Sequence, residues 1–384
     1  VLMRVDMLGV ALALIGAALG LEALRRPWLI HLAVVFFTMA VFTKQTNLAL
    51  PIALFAMLTI VRPKVALAGV LSGLVISLSA LAYGYVQFGD QFFTHLFLYN
   101  INRWNLSNYR FILAFVIGGV VYVGLSGYYV LRFFQAGATQ GDGFGALVRR
   151  LLRLQAVEIS PLVFYQRFLV AYLVVATLFA LLIGKSGANV NYLLDLAIAV
   201  ALSAAYTLAS ILNTGLAAAR EAEANPTLGH RAHNILFFNG AILLAILFWQ
   251  MAGAANLPNV KNTDIYEPLD YYMAQVDQPI LSDEMVWLIK HDQEVLWESA
   301  IFAELEAVGV WDPAPFIAKL DAGEFAGAVT VGERGTRLFR ARYSDAMADA
   351  IDRNFPEKVK TGHFVMHLPA GAAAAVIAAG AEPL

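Results

Sequence analysis

Apolar residues gather into eight long runs separated by short polar gaps: 7–24, 28–42, 48–61, 65–86, 111–131, 163–183, 193–216 and 235–251. Crossing the hydrocarbon of a bilayer takes about 20 residues of helix, so the pattern predicts about eight transmembrane helices, the second and third of them short. From about residue 255 Pro, Asp and Glu become common, and no later run could span a bilayer. This tail mixes short β-like runs (279–282, 326–331, 364–368) with helical ones (284–290, 302–308, 315–321, 344–354). An α/β domain is the natural reading. The expected architecture is mostly α: a polytopic transmembrane helix bundle over 1–254, then a small extracytoplasmic α/β domain over 255–384. "FPEKVKTG" punctuates the last helix, and the closing "PAGAAAAVIAAGAEPL" is low in complexity and expected to be loose.

Composition supports the membrane reading. The 384 residues are 60% hydrophobic and 14% charged, with a mean hydropathy of +0.67, whereas soluble domains are nearer half apolar and a quarter charged. A net charge of −2 without a basic tract argues against nucleic acid as a partner. The absence of cysteine excludes disulfides, thiol nucleophiles and thiolate metal sites. The chain starts at Val1 with no signal-like segment before the first run. It is expected to be a fragment whose natural start lies upstream.

Orientation follows from Lys and Arg in the loops. Alternating the runs puts Arg25, Arg26, Arg62, Lys64, Arg132, Arg149, Arg150, Arg153, Arg220 and Arg231 on one side. The other receives Arg4, Lys44, Arg103, Arg110 and Lys185. The richer side should be cytoplasmic, which places the tail and Lys44 together on the periplasmic or extracellular face of a cytoplasmic membrane. The basic inner loop 132–166 contains "GATQGDGFG", read as a flexible link.

The outer face collects the candidate chemistry. In "FTKQTNLALP", Lys44 is either a snorkelling lysine that closes a turn or a point charge for a phosphate, with Gln45 beside it. The loop 88–111 interleaves aromatics with His95, Asn100, Asn102, Arg103 and Asn105. An interfacial aromatic belt accounts for the rings; amides and a guanidinium beside them would also suit a carbohydrate and its phosphate. "GKSGANVNYLLD" resembles a phosphate loop only superficially, because Phe179 stands where that motif needs its first glycine. It is better read as a loop entering a helix with Asn189, Asn191, Tyr192 and Asp195 at its start, although Asp195 there is also a plain helix-dipole partner. Arg4 and Asp6 form either a local ion pair or part of a site. No His and carboxylate cluster has metal-ligand spacing.

Taken together, "MRVDMLGVALALIG", "FTKQTNLALP", "FFTHLFLYNINRWN" and "GANVNYLLDL" resemble bacterial multi-pass glycosyltransferases of the C-type (GT-C) membrane superfamily. That superfamily includes protein O-mannosyltransferase-like and aminoarabinose transferase-like enzymes. The tail "PILSDEMVWLIKHDQEVLWESAIFAELEAVGVWDPAPFIAKLDAGEFAGAVTV" is similar to the extracytoplasmic region of some members. The resemblance implies a polyprenyl-phosphate-linked sugar donor entering from the outer leaflet, and inverting transfer to a glycan, lipid or protein acceptor. It also implies an acidic catalytic base in a first external loop, here expected upstream of Val1, and in some branches a divalent metal. Lys44 and Arg103 would balance the donor phosphate. Gln45, Asn100, Asn102, Asn105, Asn189, Asn191, Tyr192 and Asp195 would line the sugar and acceptor sites, with Arg4, Asp6 and His95 nearby.

Two rivals remain. A secondary transporter would favour ionisable residues in mid-membrane and repeated halves; the runs carry little charge and show no convincing repeat. A non-catalytic membrane subunit with the tail as docking module fits the same pattern.

Overall fold

The computed structural model describes residues 5–100, 103–137, 153, 156–186, 188–224 and 266–384, with scattered positions between 234 and 248. Two compact units emerge: Val1–Phe92 with Trp104–Asn256, and Phe93–Arg103 with Leu257–Leu384. Phe93–Arg103, expected with the membrane segment, therefore groups with the C-terminal residues.

The first unit is helical: α1 Val5–Glu22, α2 Leu29–Thr43, α3 Ala49–Val61, α4 Pro63–Phe88, the start of α5 Asp90–Leu96, α6 Arg110–Gly118, α7 Val120–Gly137, α8 Pro161–Ala180 and α9 Leu194–Ala224. Prolines open α4 and α8, where a missing N–H costs nothing. Ser160 also caps α8 by accepting from Val163 N. The core joins α1, α2, α3 and α8 through small residues: Ala13, Ala33, Ala40, Ala53 and Ala176 are buried. A Cβ on Gly16 would come within 2.8 Å of Phe37, and one on Gly20 within 2.2 Å of Leu54. Small residues at such seams let backbones approach closely, which is how helices associate where lipid removes the hydrophobic drive.

Three described helices have the length and composition to cross a membrane: Pro63–Phe88, Pro161–Gly184 and Val190–Ala217. A fourth arises if Leu106–Gly118 and Val120–Gln135 form one span, bent by 84°. The expectation of eight is thus not met among the described residues. At 15 and 13 residues, α2 and α3 rise only about 22 and 20 Å, short of a hydrocarbon core of roughly 30 Å. The run 235–251 and the link "GATQGDGFG" fall largely outside the described residues. The run 111–131, expected as one crossing, breaks at Gly118 and Gly119, the kind of weak point at which helices kink.

The second unit holds the remainder of α5, then α10 Glu267–Met273, β1 Ile280–Ser282, α11 Met285–Lys290, α12 Ser299–Ala307, α13 Ala314–Asp321 and β2 Gly327–Val331. It continues through α14 Arg337–Arg340, α15 Asp345–Asn354, β3 Glu357–Thr361, β4 Phe364–Leu368, α16 Ala373–Ala378 and β5 Glu382–Pro383. The five strands are ordered β1-β2-β4-β3-β5, with β1 parallel to β2 and the other pairs antiparallel. Strand alternation feeds two cores. Ile280, Val329 and Met366 meet Leu269 and Val376; Leu281 and Ala328 meet Trp297, Phe339 and Ile351.

Two expectations need correction here. "FPEKVKTG" contains β3, whose Val359 and Thr361 are buried while lysines alternate between them. The closing alanine-rich stretch is not loose: α16 buries Val376, and Ala381 precedes β5. Glu357 fastens it by accepting from Gly371 N and Ala373 N, each at 2.7 Å.

Candidate functional site

The candidate site lies in the first unit, where the start of α1, the α2–α3 turn and the start of α9 meet. Lys44 caps α2, donating its N–H to Ala40 O. Buried Asn47 locks the turn by donating Nδ2 to the same carbonyl at 3.1 Å and its N–H to Lys44 O at 3.0 Å. Asp6, in the first turn of α1, is buried and paired with the Lys44 ammonium. Asn191 donates Nδ2 to both Asp6 oxygens, at 3.3 and 3.2 Å. The ammonium also sits 4.8 Å from the centre of the Tyr192 ring, a cation–π distance. Asn189 holds this strip in place by capping the single turn Val190–Leu193, its side chain accepting from Val190 N at 2.7 Å. One residue into α9, Asp195 accepts from the fully buried Tyr172 hydroxyl at 3.0 Å.

One ammonium thus faces the carboxylates Asp6 and Asp195, an amide and an aromatic face. Asn191 Oδ1 is buried without a hydrogen-bond partner among the described residues. An orphan acceptor beside an ion pair is the sort of group a ligand hydroxyl would satisfy. The cluster does not fit a divalent metal, because Lys44 already occupies the place of a counter-cation. Among the described residues no three His, Asp or Glu converge as a ligand set.

The other expected residues lie elsewhere. Arg103 does not join Lys44 in the described contacts. It belongs to the second unit, where its N–H and Nε reach Glu304 Oε2 at 3.0 Å and Nη2 reaches Oε1 at 3.4 Å. Glu304 is buried and needs that cation, so the guanidinium is engaged rather than offered to a donor. Asn105 caps the turn Leu106–Tyr109 through Ser107 N and donates its N–H to Gly184 O at 2.6 Å. Trp104 bridges Lys185, and Asn108 donates to Lys185 O at 2.9 Å, which packs the aromatic loop on the end of α8. Gln45 is exposed on its turn. Arg4 and Asn102 lie outside the described residues, as do the side chains of His95 and Asn100. Sequence reasoning missed Tyr172 and Asn47. Asn47 stood within the quoted stretch, while Tyr172 is one polar tip in an apolar run, signalled only by the cost of burying a hydroxyl alone.

No family model, curated protein or solved structure matches the chain.

Proposed function

We propose that this chain is a multi-pass membrane glycosyltransferase. It moves a sugar from a polyprenyl-phosphate donor to a glycan, lipid or protein acceptor on the outer face of the cytoplasmic membrane. The observation that carries the reading is the convergence of Asp6, Lys44, Asn191, Tyr192 and Asp195 at the ends of apolar helices. In this reading Asp6 occupies the place of the donor phosphate. The incoming anion takes over Lys44 and the Asn191 amide, and Lys44 stabilises the negative charge that grows on the leaving phosphate as the sugar–oxygen bond breaks. In place of the base that the resemblance sets upstream of Val1, this reading gives the released Asp6 carboxylate the proton of the attacking acceptor hydroxyl. Tyr192 supplies a ring face and Asn191 Oδ1 an acceptor for sugar hydroxyls. The outward placement of the site and of the C-terminal domain rests on a positive-inside bias counted over eight alternating crossings, of which the described residues show three or four.

The test is consumption of a labelled polyprenyl-phosphate sugar by membrane vesicles. Wild type should turn it over, and Lys44→Ala should lose about 10²–10³-fold in rate while still inserting. Turnover by Lys44→Ala at the wild-type rate rejects the proposal. A second reading rests on the mutual saturation of Lys44 and Asp6. If the pair only fastens α1 to the α2–α3 turn of a non-catalytic subunit, the wild type consumes no donor and Lys44→Ala is defective in assembly alone.

A further inference from the structure

Far along α9 from the Lys44 cluster, a cavity of about 500 Å³ opens between α7, α8 and α9. That volume lies within the ordinary range for small-ligand sites, roughly 300–1,000 Å³. Its walls are not those of a gap between lipid-facing helices. Tyr129, buried, donates its hydroxyl to Gln166 O at 2.6 Å, and Gln166 Nε2 donates to Tyr206 OH at 2.6 Å. The Tyr129 and Tyr206 rings meet edge to face at 5.4 Å, so the polar link is braced by packing. Ser210 and Thr214 continue the wall, each donating to a carbonyl one turn back, Tyr206 O and Ser210 O, both at 2.9 Å. Among the described residues, Arg132 is the one cation on the wall and no acidic side chain lines it.

We propose that this cavity is a second, separate binding site, for the headgroup of a phosphodiester lipid that carries hydroxyl groups. Three features set that chemistry. A guanidinium on an acid-free wall takes a phosphate, which it can grip with two parallel N–H bonds. The Ser210 and Thr214 protons are spent on helix carbonyls, so what these hydroxyls offer a ligand is lone pairs, met by headgroup O–H donors. The remaining wall is ring and aliphatic surface, suited to the glycerol and upper acyl carbons. Position agrees as well. Asp195 and Thr214 are separated by about 28 Å of helix rise along α9, close to the thickness of a hydrocarbon core, so the cavity serves the leaflet opposite Lys44. A lone snorkelling arginine would need none of the Tyr129–Gln166–Tyr206 linkage. The proposal stands independently of the glycosyltransferase reading.

Protein reconstituted in phosphatidylglycerol or phosphatidylcholine nanodiscs and analysed by native mass spectrometry tests it. Wild type should retain phosphatidylglycerol about tenfold over phosphatidylcholine, and Arg132→Gln should abolish the preference while Arg132→Lys keeps part of it. A wild type that retains both lipids alike, or an Arg132→Gln variant with the preference intact, overturns the site. Should Arg132→Gln fail to fold, Ser210→Ala with Thr214→Val leaves the charge in place. A reduced preference then supports the site, and an unchanged one overturns it. Soluble glycerol 3-phosphate that displaces the lipid supports the site and names the free ester as a ligand; no displacement assigns it to the membrane lipid.

Discussion

Lys44 and Asp6 are 38 residues apart in sequence yet share an ion pair at the end of an apolar bundle. With so little water near either group, removing one partner strands the other. Asp6→Ala should lower stability by about 3 kcal/mol, and the double variant Asp6→Ala/Lys44→Ala should recover part of that loss. Thermal melts in detergent check both. In the second unit, His367 is buried on β4 with Nε2 3.1 Å from Thr330 Oγ1, and Nδ1 has no hydrogen-bond partner among the described residues. Burial, with Lys358 beside it, pushes its pKa down to about 4, against a weaker upward pull from Asp352. The unfolded imidazole titrates near 6.5, so between these values the unfolded chain binds more protons. Stability is complete above about pH 6.5 and falls towards pH 4, by about 3 kcal/mol in total. Glu298, whose carboxyl is raised by burial, opposes this at the acid end. Amide exchange of β4 should report the loss, and His367→Gln should flatten it.

At the scale of elements, the seam between α1 and α2 depends on what is missing from glycine. A Cβ on Gly9 would fall 2.0 Å from Asn47 Nδ2, the atom that closes the α2–α3 turn. Gly9→Ala should therefore cost about 1–3 kcal/mol and impair Lys44-dependent transfer, because the strain is relieved by moving the turn. Equal stability and equal donor turnover in that variant would contradict the packing. Strand prediction shows the same dependence on partners. β2 and β4 are mostly apolar, each with one polar residue, Thr330 and His367, and were legible. In β3, charged Lys358 and Lys360 alternate with buried Val359 and Thr361, a short pattern easily read as a turn. The final alanines betray no periodicity at all, and α16 gains its place from Glu357 and from packing against α10.

For the whole molecule, the sharpest expectation concerns sides. If the Lys44 cluster faces outward, protease added to intact spheroplasts should cleave residues 266–384, and inside-out vesicles should protect them. The reverse pattern would leave the proposed donor site in the wrong compartment. The measurement is independent of turnover.

Hydrophobic patterning alone determined that the chain is mostly helical, with apolar helices of membrane-crossing length and an α/β segment after them, because burial in an apolar surround or in a sheet imposes runs and periods visible residue by residue. It also singled out Lys44, Asn191, Tyr192 and Asp195, since polar groups bordering apolar runs are conspicuous. Which charges neutralise one another was decided only in three dimensions. Asp6 holds Lys44, Glu304 holds Arg103, and Tyr172 reaches Asp195, all through contacts between residues distant in the chain. Helix bending at Gly118 and Gly119 belongs with these: a glycine pair permits a straight helix or a sharp break, and only the three-dimensional structure shows the 84° bend.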